Sequence, residues 1–389
     1  MSKSLGNLLL PNCLLYTRKL HVPFLSPDLY EEIENIPNIA FISINTIYEK
    51  FKIFESFNRP ISEYSLPKKE CFLFQNDPID NVHKSAFNDR EVSVWAVGGR
   101  LNLSMAQYKK TISFTHPDFF QSPVDNETLK FDYAKKKKCL KTVSRSLDLL
   151  TDFSALNDLS FISLTGGNIL EARDQFVKRL SNFKYSGIIL DGIFFEHFQS
   201  EMNVATFEMI TESIKSIRLI NPNAPIMLTA VFQPGDILEG IKAGVDMFDG
   251  SLPYRLSRAG ISWSYEKDCN FSYLSFPDSS KFYSPAISGK DMFSEPLQKG
   301  CNCFTCRTHN VAYINHLHEV SEMLAQILLM IHNSTAVYRF FQDIRFSLET
   351  GTFDEFYVKH QSAYFPQEIL KRDNSAELTL AVKKKSSVT

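Results

Sequence analysis

The chain has 389 residues, 44% of them apolar and 33 of them phenylalanine, enough for one large domain or two ordinary ones. Its 42 Lys and Arg nearly balance its 44 Asp and Glu, so bulk charge neither demands nor rules out nucleic acid; such a contact would have to come from local patches. Seven cysteines, an odd number with three clustered, do not read as a disulfide framework and fit a reducing, intracellular compartment.

At the N-terminus Leu8, Leu9 and Leu10 are interrupted by Pro11 and Asn12, which argues against a signal peptide, and no apolar run is long enough to span a membrane. Short β-branched or aromatic runs then predict strands at Ile39–Ile44, Cys71–Phe74, Val92–Val97, Thr111–Phe114, Ser160–Leu164, Gly187–Leu190, Pro225–Ala230 and Gly244–Phe248. Helical periodicity falls on Ile169–Leu180, Thr206–Ile220 and Gly235–Ala243. Apolar strands alternating with helices indicate a mostly parallel sheet covered on both faces. Eight of them in order suggest an α/β fold of the (β/α)₈ TIM-barrel type, with a doubly wound open sheet as the alternative.

Between these elements, Lys135–Lys138 with Lys141 and Arg145 form a basic helical patch that could meet phosphates, although a solvated helix face is the commoner meaning of such a run. From Tyr265 to about Gly300 the sequence turns irregular and leads into Cys301-Asn302-Cys303-Phe304-Thr305-Cys306. Thiolates this close can converge on one cation, and three sulfurs with one imidazole are a common tetrahedral zinc set. With four protein ligands no position stays open for substrate, so the site is structural.

Two histidines could complete the set. His309 lies three residues past Cys306. His332 lies at the end of an apolar helical pattern; one unbroken helix from 310 to 332 would be roughly 33 Å long and would hold His332 away from the metal. His332 can serve only if the chain reverses, and Ser321-Glu322 is a reasonable helix start. Spacing alone leaves both open. The tail Lys383–Lys385 reads as a disordered terminus.

Before the irregular region stands Gly244-Val245-Asp246-Met247-Phe248-Asp249-Gly250-Ser251-Leu252-Pro253-Tyr254-Arg255, with Asp249 at a strand's C-terminal end, the face where a barrel does its chemistry. Together with the cysteines this resembles the tRNA-guanine transglycosylase family (queuine tRNA-ribosyltransferases), which carries Val-Asp-Met-Phe-Asp-Cys-x-x-Pro-x-Arg, then Cys-x-Cys-x-x-Cys, then a His-Asn pair in the register of His332-Asn333. Ala312–Leu317 and Thr165-Gly166-Gly167 are also similar to family segments, and Leu10-Pro11-Asn12 is compatible with its opening hairpin.

The resemblance implies a (β/α)₈ barrel with a zinc-binding subdomain near the C-terminus, one structural Zn²⁺ on Cys301, Cys303, Cys306 and His332, and base exchange through an Asp nucleophile. It implies a division into main barrel (1–264), insertion and zinc subdomain (265–333), C-terminal helices completing the barrel (334–375) and basic tail (376–389). The nucleophile aligns with Asp249. The family's second Asp, its general acid/base, aligns with Ala96, and its base-reading Gln with Thr165. Its glycine-rich loop becomes Asp191-Gly192-Ile193-Phe194-Phe195-Glu196, where two phenylalanines would fill the space of a purine. Burying a purine edge without partners costs ~1–3 kcal/mol per group.

These departures are those of a non-catalytic member that pairs with a separate catalytic transglycosylase chain as a heterodimer and helps hold tRNA. Asp249 is then a relic, and no residue is catalytic. The alternative is an active transglycosylase using Asp249 with Asp191 as a substitute acid/base. The resemblance adds a cytoplasmic setting, and peripheral association with a membrane, at the mitochondrial outer surface, as a further expectation.

Overall fold

A computed structural model describes residues 3–65, 67–79, 91–96, 99–125, 135–153, 159–193, 201–231, 233–267, 271–276 and 294–365. Phe194–Glu196, Val97, Gly98 and the tail 376–389 lie outside them, as do the side chains of Trp95 and Ala96. Contacts divide the chain into two compact units, one made of 1–22, 37–231 and 239–250, the other of 23–36, 232–238 and 251–389.

The first unit contains a parallel sheet of nine hydrogen-bonded strands. Asn12–Cys13 and Leu15–Tyr16 are consecutive pieces of one segment, the first pairing with Met247–Phe248 and the second with Ile39–Ser43, so the sheet closes on itself as eight staves. The others are Glu70–Phe74, Phe119–Gln121, Ser160–Leu164, Gly187–Leu190 and Ile226–Leu228, in chain order around the barrel. The α/β barrel expected from sequence is therefore present. Closure gives every strand edge a partner, which removes the exposed edge of an open sheet.

Phenylalanine is the reason the barrel is solid. Phe41 stacks on Phe74 at 4.5 Å, and Phe72 lies 4.7 Å from Phe161. Phe41, Phe72 and Phe161 have no measurable exposure, and each contributes roughly 1.5–3 kcal/mol by leaving water. Gly187 faces Phe161 in register, and a Cβ there would fall 2.2 Å from the ring; the glycine makes room for the phenyl group.

Two strand expectations are corrected. Thr111–Phe114 is helical, inside Met105–Thr115, where Ser104 and Gln107 form a reciprocal capping box that outweighs the β-branched run. Val92–Ala96 lies in the strand Glu91–Ala96, which pairs antiparallel with Gly99–Ser104 as a hairpin outside the barrel sheet. The staves at 12–16 and 119–121 had no expectation; they are two or three residues long per piece, too short for a period to register.

The second unit holds the helices Leu252–Arg258, Phe304–Thr308, Val311–Glu319, Met323–Glu349 and Phe353–His360. It also holds an antiparallel pair, Ile261–Ser264 with Ser272–Ser275, so part of the stretch read as irregular is a strand. Met323–Glu349 runs 27 residues without a break. Leu274, Phe276, Val311, Ile314, Leu317, Leu328 and Leu329 form its local core. Among the described residues, no helix is long and apolar enough to cross a membrane.

Candidate metal centre and the barrel mouth

Cys303 caps the helix Phe304–Thr308, its sulfur accepting from the Cys306 backbone N–H at 3.4 Å, which folds the two cysteines toward each other. Thr305 Oγ1 donates to the Leu328 carbonyl at 2.7 Å and fastens that short helix to the long one. His332, fully buried, then presents Nδ1 to the sulfurs of Cys306, Cys303 and Cys301 at 3.3, 3.7 and 3.8 Å. The four ligand atoms lie within 4.8 Å of one another. Donors held about 2.0–2.3 Å from one ion in a tetrahedron stand roughly 3.3–3.8 Å apart, so the cluster could hold a metal ion with small adjustments.

The imidazole is oriented from behind. Its Nε2 meets the Trp263 carbonyl at 3.0 Å. A carbonyl only accepts, so Nε2 carries a proton, and Nδ1 is the atom that would coordinate a cation in the cluster. The neighbouring Asn333 bonds Trp263 N, Ile261 O and Ser257 Oγ at 2.9, 2.8 and 3.1 Å, pinning this turn of helix to the strand Ile261–Ser264. His309 faces elsewhere: its Nδ1 meets Thr308 Oγ1 at 2.6 Å and its ring stacks on Tyr313.

Taken as side chains alone, the four groups share protons unevenly. Hydrogen bonds from Cys303 and then Cys306 hold the Cys301 thiol far below its usual range, while those to Cys301 and Cys303 push Cys306 far above it. Burial opposes a charge on His332, but hydrogen bonds to Cys301 and Cys303 outweigh it and raise the imidazole to about 10. Thiolate charge pooled in a buried site is what a bound cation neutralises.

The second place of interest is the C-terminal mouth of the barrel strands, in the first unit. Asp249 is 2% exposed, and its Oδ2 accepts the Ala230 backbone N–H at 2.5 Å from the end of the adjacent stave. Gly250, where the resembling motif has cysteine, has φ +75°, and a Cβ there would fall 1.8 Å from the Leu14 carbonyl oxygen. The chain thus leaves Asp249 by a route that no side chain at 250 could follow.

Around the mouth the polar groups bond to each other. Gln75 exchanges two hydrogen bonds with the Val124 backbone, and its own N–H donates to Gln121 Oε1 at 2.8 Å. Gln121 Nε2 reaches Ser163 Oγ at 2.6 Å and Asp191 Oδ2 at 3.0 Å. Asp191 Oδ1 accepts from Gly192 N at 2.7 Å, and burial raises its carboxyl above the usual range. Arg173, without measurable exposure, donates to the carbonyls of Gly167, Leu164 and Asp191 and closes the loop after Leu164. Thr165 is 1% exposed, and its hydroxyl has no partner among the described residues. Ala96 ends the hairpin strand, opposite Gly99. The pair Gln75 and Gln121, which with Ser163 and Asp191 ties the ends of four staves together, carried no recognisable sequence signal; only strand ends converging in space reveal it.

A closed eight-stave barrel joined in one chain to a Cys₃His cluster defines the class, and the chain belongs to the queuine tRNA-ribosyltransferase family, whose model matches residues 5–366. Among curated relatives it is similar to proteins named queuine tRNA-ribosyltransferase accessory subunit 2. The Xenopus tropicalis protein is 27% identical over 377 residues, covering 88% of this chain and 89% of that one. The Homo sapiens protein is 25% identical over 383 residues, with the same coverage. The Drosophila sechellia protein is 28% identical over 362 residues, covering 88% and 83%.

Proposed function

We propose that this chain is the non-catalytic subunit of a heterodimeric queuine tRNA-ribosyltransferase, serving assembly and tRNA binding while a separate catalytic chain exchanges guanine for queuine at the anticodon wobble position. The observation that carries this reading is the absence of an acid/base partner for Asp249, whose Oδ2 holds the Ala230 backbone N–H. A nucleophile of this kind needs a partner to protonate the departing base. Gln121, Ser163 and Asp191 at the barrel mouth are bonded to one another, and position 96 offers no carboxyl. The accessory-subunit name of the relatives points the same way.

In the same reading Cys301, Cys303, Cys306 and His332 hold one structural Zn²⁺, because a thiolate-rich closed set suits zinc better than a hard cation. Zinc would neutralise the pooled thiolate charge and fix the Phe304–Thr308 helix against the long helix.

One observation favours a second reading: burial raises the Asp191 carboxyl, which is the property of a general acid. Labelled-guanine exchange into tRNA separates the two. The purified chain alone is expected to show no exchange, and the complex with a catalytic transglycosylase is expected to keep its rate when Asp249→Asn is introduced here. Exchange by the chain alone, lost in Asp249→Asn, would establish the active enzyme instead.

A further inference from the structure

We propose that Cys303 and Cys306 are a peroxide-sensitive thiol pair whose disulfide expels the metal, which makes the cluster a reversible redox switch as well as a support. The inference rests on the zinc assignment proposed above and gives two of the four ligands a second chemistry.

The cysteines among the described residues fall into two groups. Cys13, Cys71 and Cys139 are buried in the barrel unit. Burial, with Asp118 and Glu70 nearby, pushes the Cys71 thiol up to about 12, so it stays protonated and inert. The cluster differs. Cys301 and Cys306 are partly exposed, whereas Cys303 and His332 are buried. A thiol that reacts with peroxide must be reached from solvent, and the thiol that resolves the product must stand beside it. Cys306 meets the first condition and Cys303 the second.

The backbone selects this pair. Cys303 caps the helix Phe304–Thr308 and Cys306 lies three residues on, so both side chains share one face, with the Cys303 sulfur 3.4 Å from the Cys306 backbone nitrogen. Their sulfurs lie within 4.8 Å, and closing them to a bond of about 2.0 Å takes side-chain rotation without breaking the helix. Cys301 precedes the helix in a stretch without regular structure, tied back only by a long 3.4 Å bond from its N–H to the Gln298 carbonyl. Pairing Cys301 with either neighbour would require that stretch to shift.

The oxidant is hydrogen peroxide, and the step balances. The Cys306 thiolate attacks one peroxide oxygen, the O–O bond breaks, and sulfenic acid forms with release of hydroxide. The Cys303 thiolate attacks that sulfur, the S–S bond forms, and the second oxygen leaves as hydroxide. The sulfurs lose two electrons, the peroxide gains two, and two solvent protons turn both hydroxides into water. Cys301 and His332 then remain as ligands, too few for a closed tetrahedral site. The frame outlasts the metal: Thr305 still donates to the Leu328 carbonyl and the Trp263 carbonyl still orients His332, contacts that use no ligand sulfur. Thiol reductants therefore restore a cluster that takes metal up again, and in a reducing compartment such a disulfide is a transient signal.

The test uses the full chain, alone and with a catalytic transglycosylase. Reductant is removed, zinc is measured by elemental analysis, and stoichiometric hydrogen peroxide is added. Released zinc is followed with pyridylazoresorcinol; free thiols are then alkylated in urea and the disulfide is located by peptide mass. The expected result is release of about one equivalent of zinc with a Cys303–Cys306 disulfide, Cys301 and the barrel cysteines being recovered alkylated. Dithiothreitol with added zinc is expected to restore about one equivalent. Zinc retained after peroxide overturns the switch and leaves the zinc assignment standing. Zinc released with a disulfide at any other pair, or with sulfinic acid and no disulfide, overturns the thiol pair. Failure of dithiothreitol and zinc to reload the site overturns its reversibility and with it the switch. A reduced chain that neither holds nor takes up zinc overturns the metal assignment itself.

Discussion

His332 does two things with two ring nitrogens: Nε2–H is spent on the Trp263 carbonyl, and Nδ1 is left to the sulfurs. On the proposed zinc assignment, His332→Ala and Cys303→Ser are expected to lose the metal on dialysis and His309→Ala to retain about one equivalent, as measured by elemental analysis. Retention in His332→Ala with loss in His309→Ala would reverse the ligand assignment. A different histidine sets an acid-side cost. His318 stacks on Phe276 at 5.3 Å, its Nε2 has no partner among the described residues, and burial pushes its imidazole down to about 4. The unfolded chain takes up that proton first, near pH 6.5. Stability from neutral His318 is complete above about 6.5 and is lost as pH falls toward 4. His318→Phe keeps the stack, so its urea-unfolding free energy should fall less than wild type's between those pH values. An identical pH slope would exonerate His318.

At the scale of elements, the decisive one is the three-residue break between Val311–Glu319 and Met323–Glu349. Ser321 N–H donates to His318 O, Glu322 N–H to Leu317 O, and Ser321 has φ +59°, the paired bonds and left-handed residue of a Schellman stop. This reversal brings His332 back to Cys306, as the length of an unbroken helix required. Serine pays for φ > 0 where glycine does not, so Ser321→Gly is expected to raise stability by ~0.5–1 kcal/mol in thermal unfolding, with metal content unchanged. A loss of stability would show that the serine side chain contributes there. The same scale shows where sequence patterns failed. Thr111–Phe114 has strand composition, yet the capping box at Ser104 and Gln107, itself a sequence signature, assigns it to a helix.

For the whole molecule, the two compact units have separate means of support: phenyl rings packed inside a closed sheet in one, and a helical core beside the Cys₃His cluster in the other. Stripping the proposed metal with a chelator at neutral pH should therefore accelerate backbone hydrogen exchange in Phe304–Thr308 and Val311–Glu319 most. The staves Ile39–Ser43 and Ser160–Leu164 should keep their protection, because their hydrogen bonds close a barrel that contains no ligand atom. Uniform loss of protection would mean that the cluster supports both units.

By itself the sequence determined the local and the chemical: six of the eight staves, the three cysteines, the two histidines that could join them, and the family to which these motifs belong. Each rests on short spacing or on residue type, which the chain carries wherever it folds. Only the tertiary structure decided what depends on distant segments meeting. The stave Asn12–Tyr16 exists because Met247–Phe248 returns beside it, more than two hundred residues later. His332 joins Cys301, Cys303 and Cys306 because a helix stops and restarts. Asp249 aligns with the family's nucleophile in sequence, and in space its Oδ2 holds the Ala230 backbone. Chemistry of a side chain is local, but its availability depends on what the fold has already bonded to it.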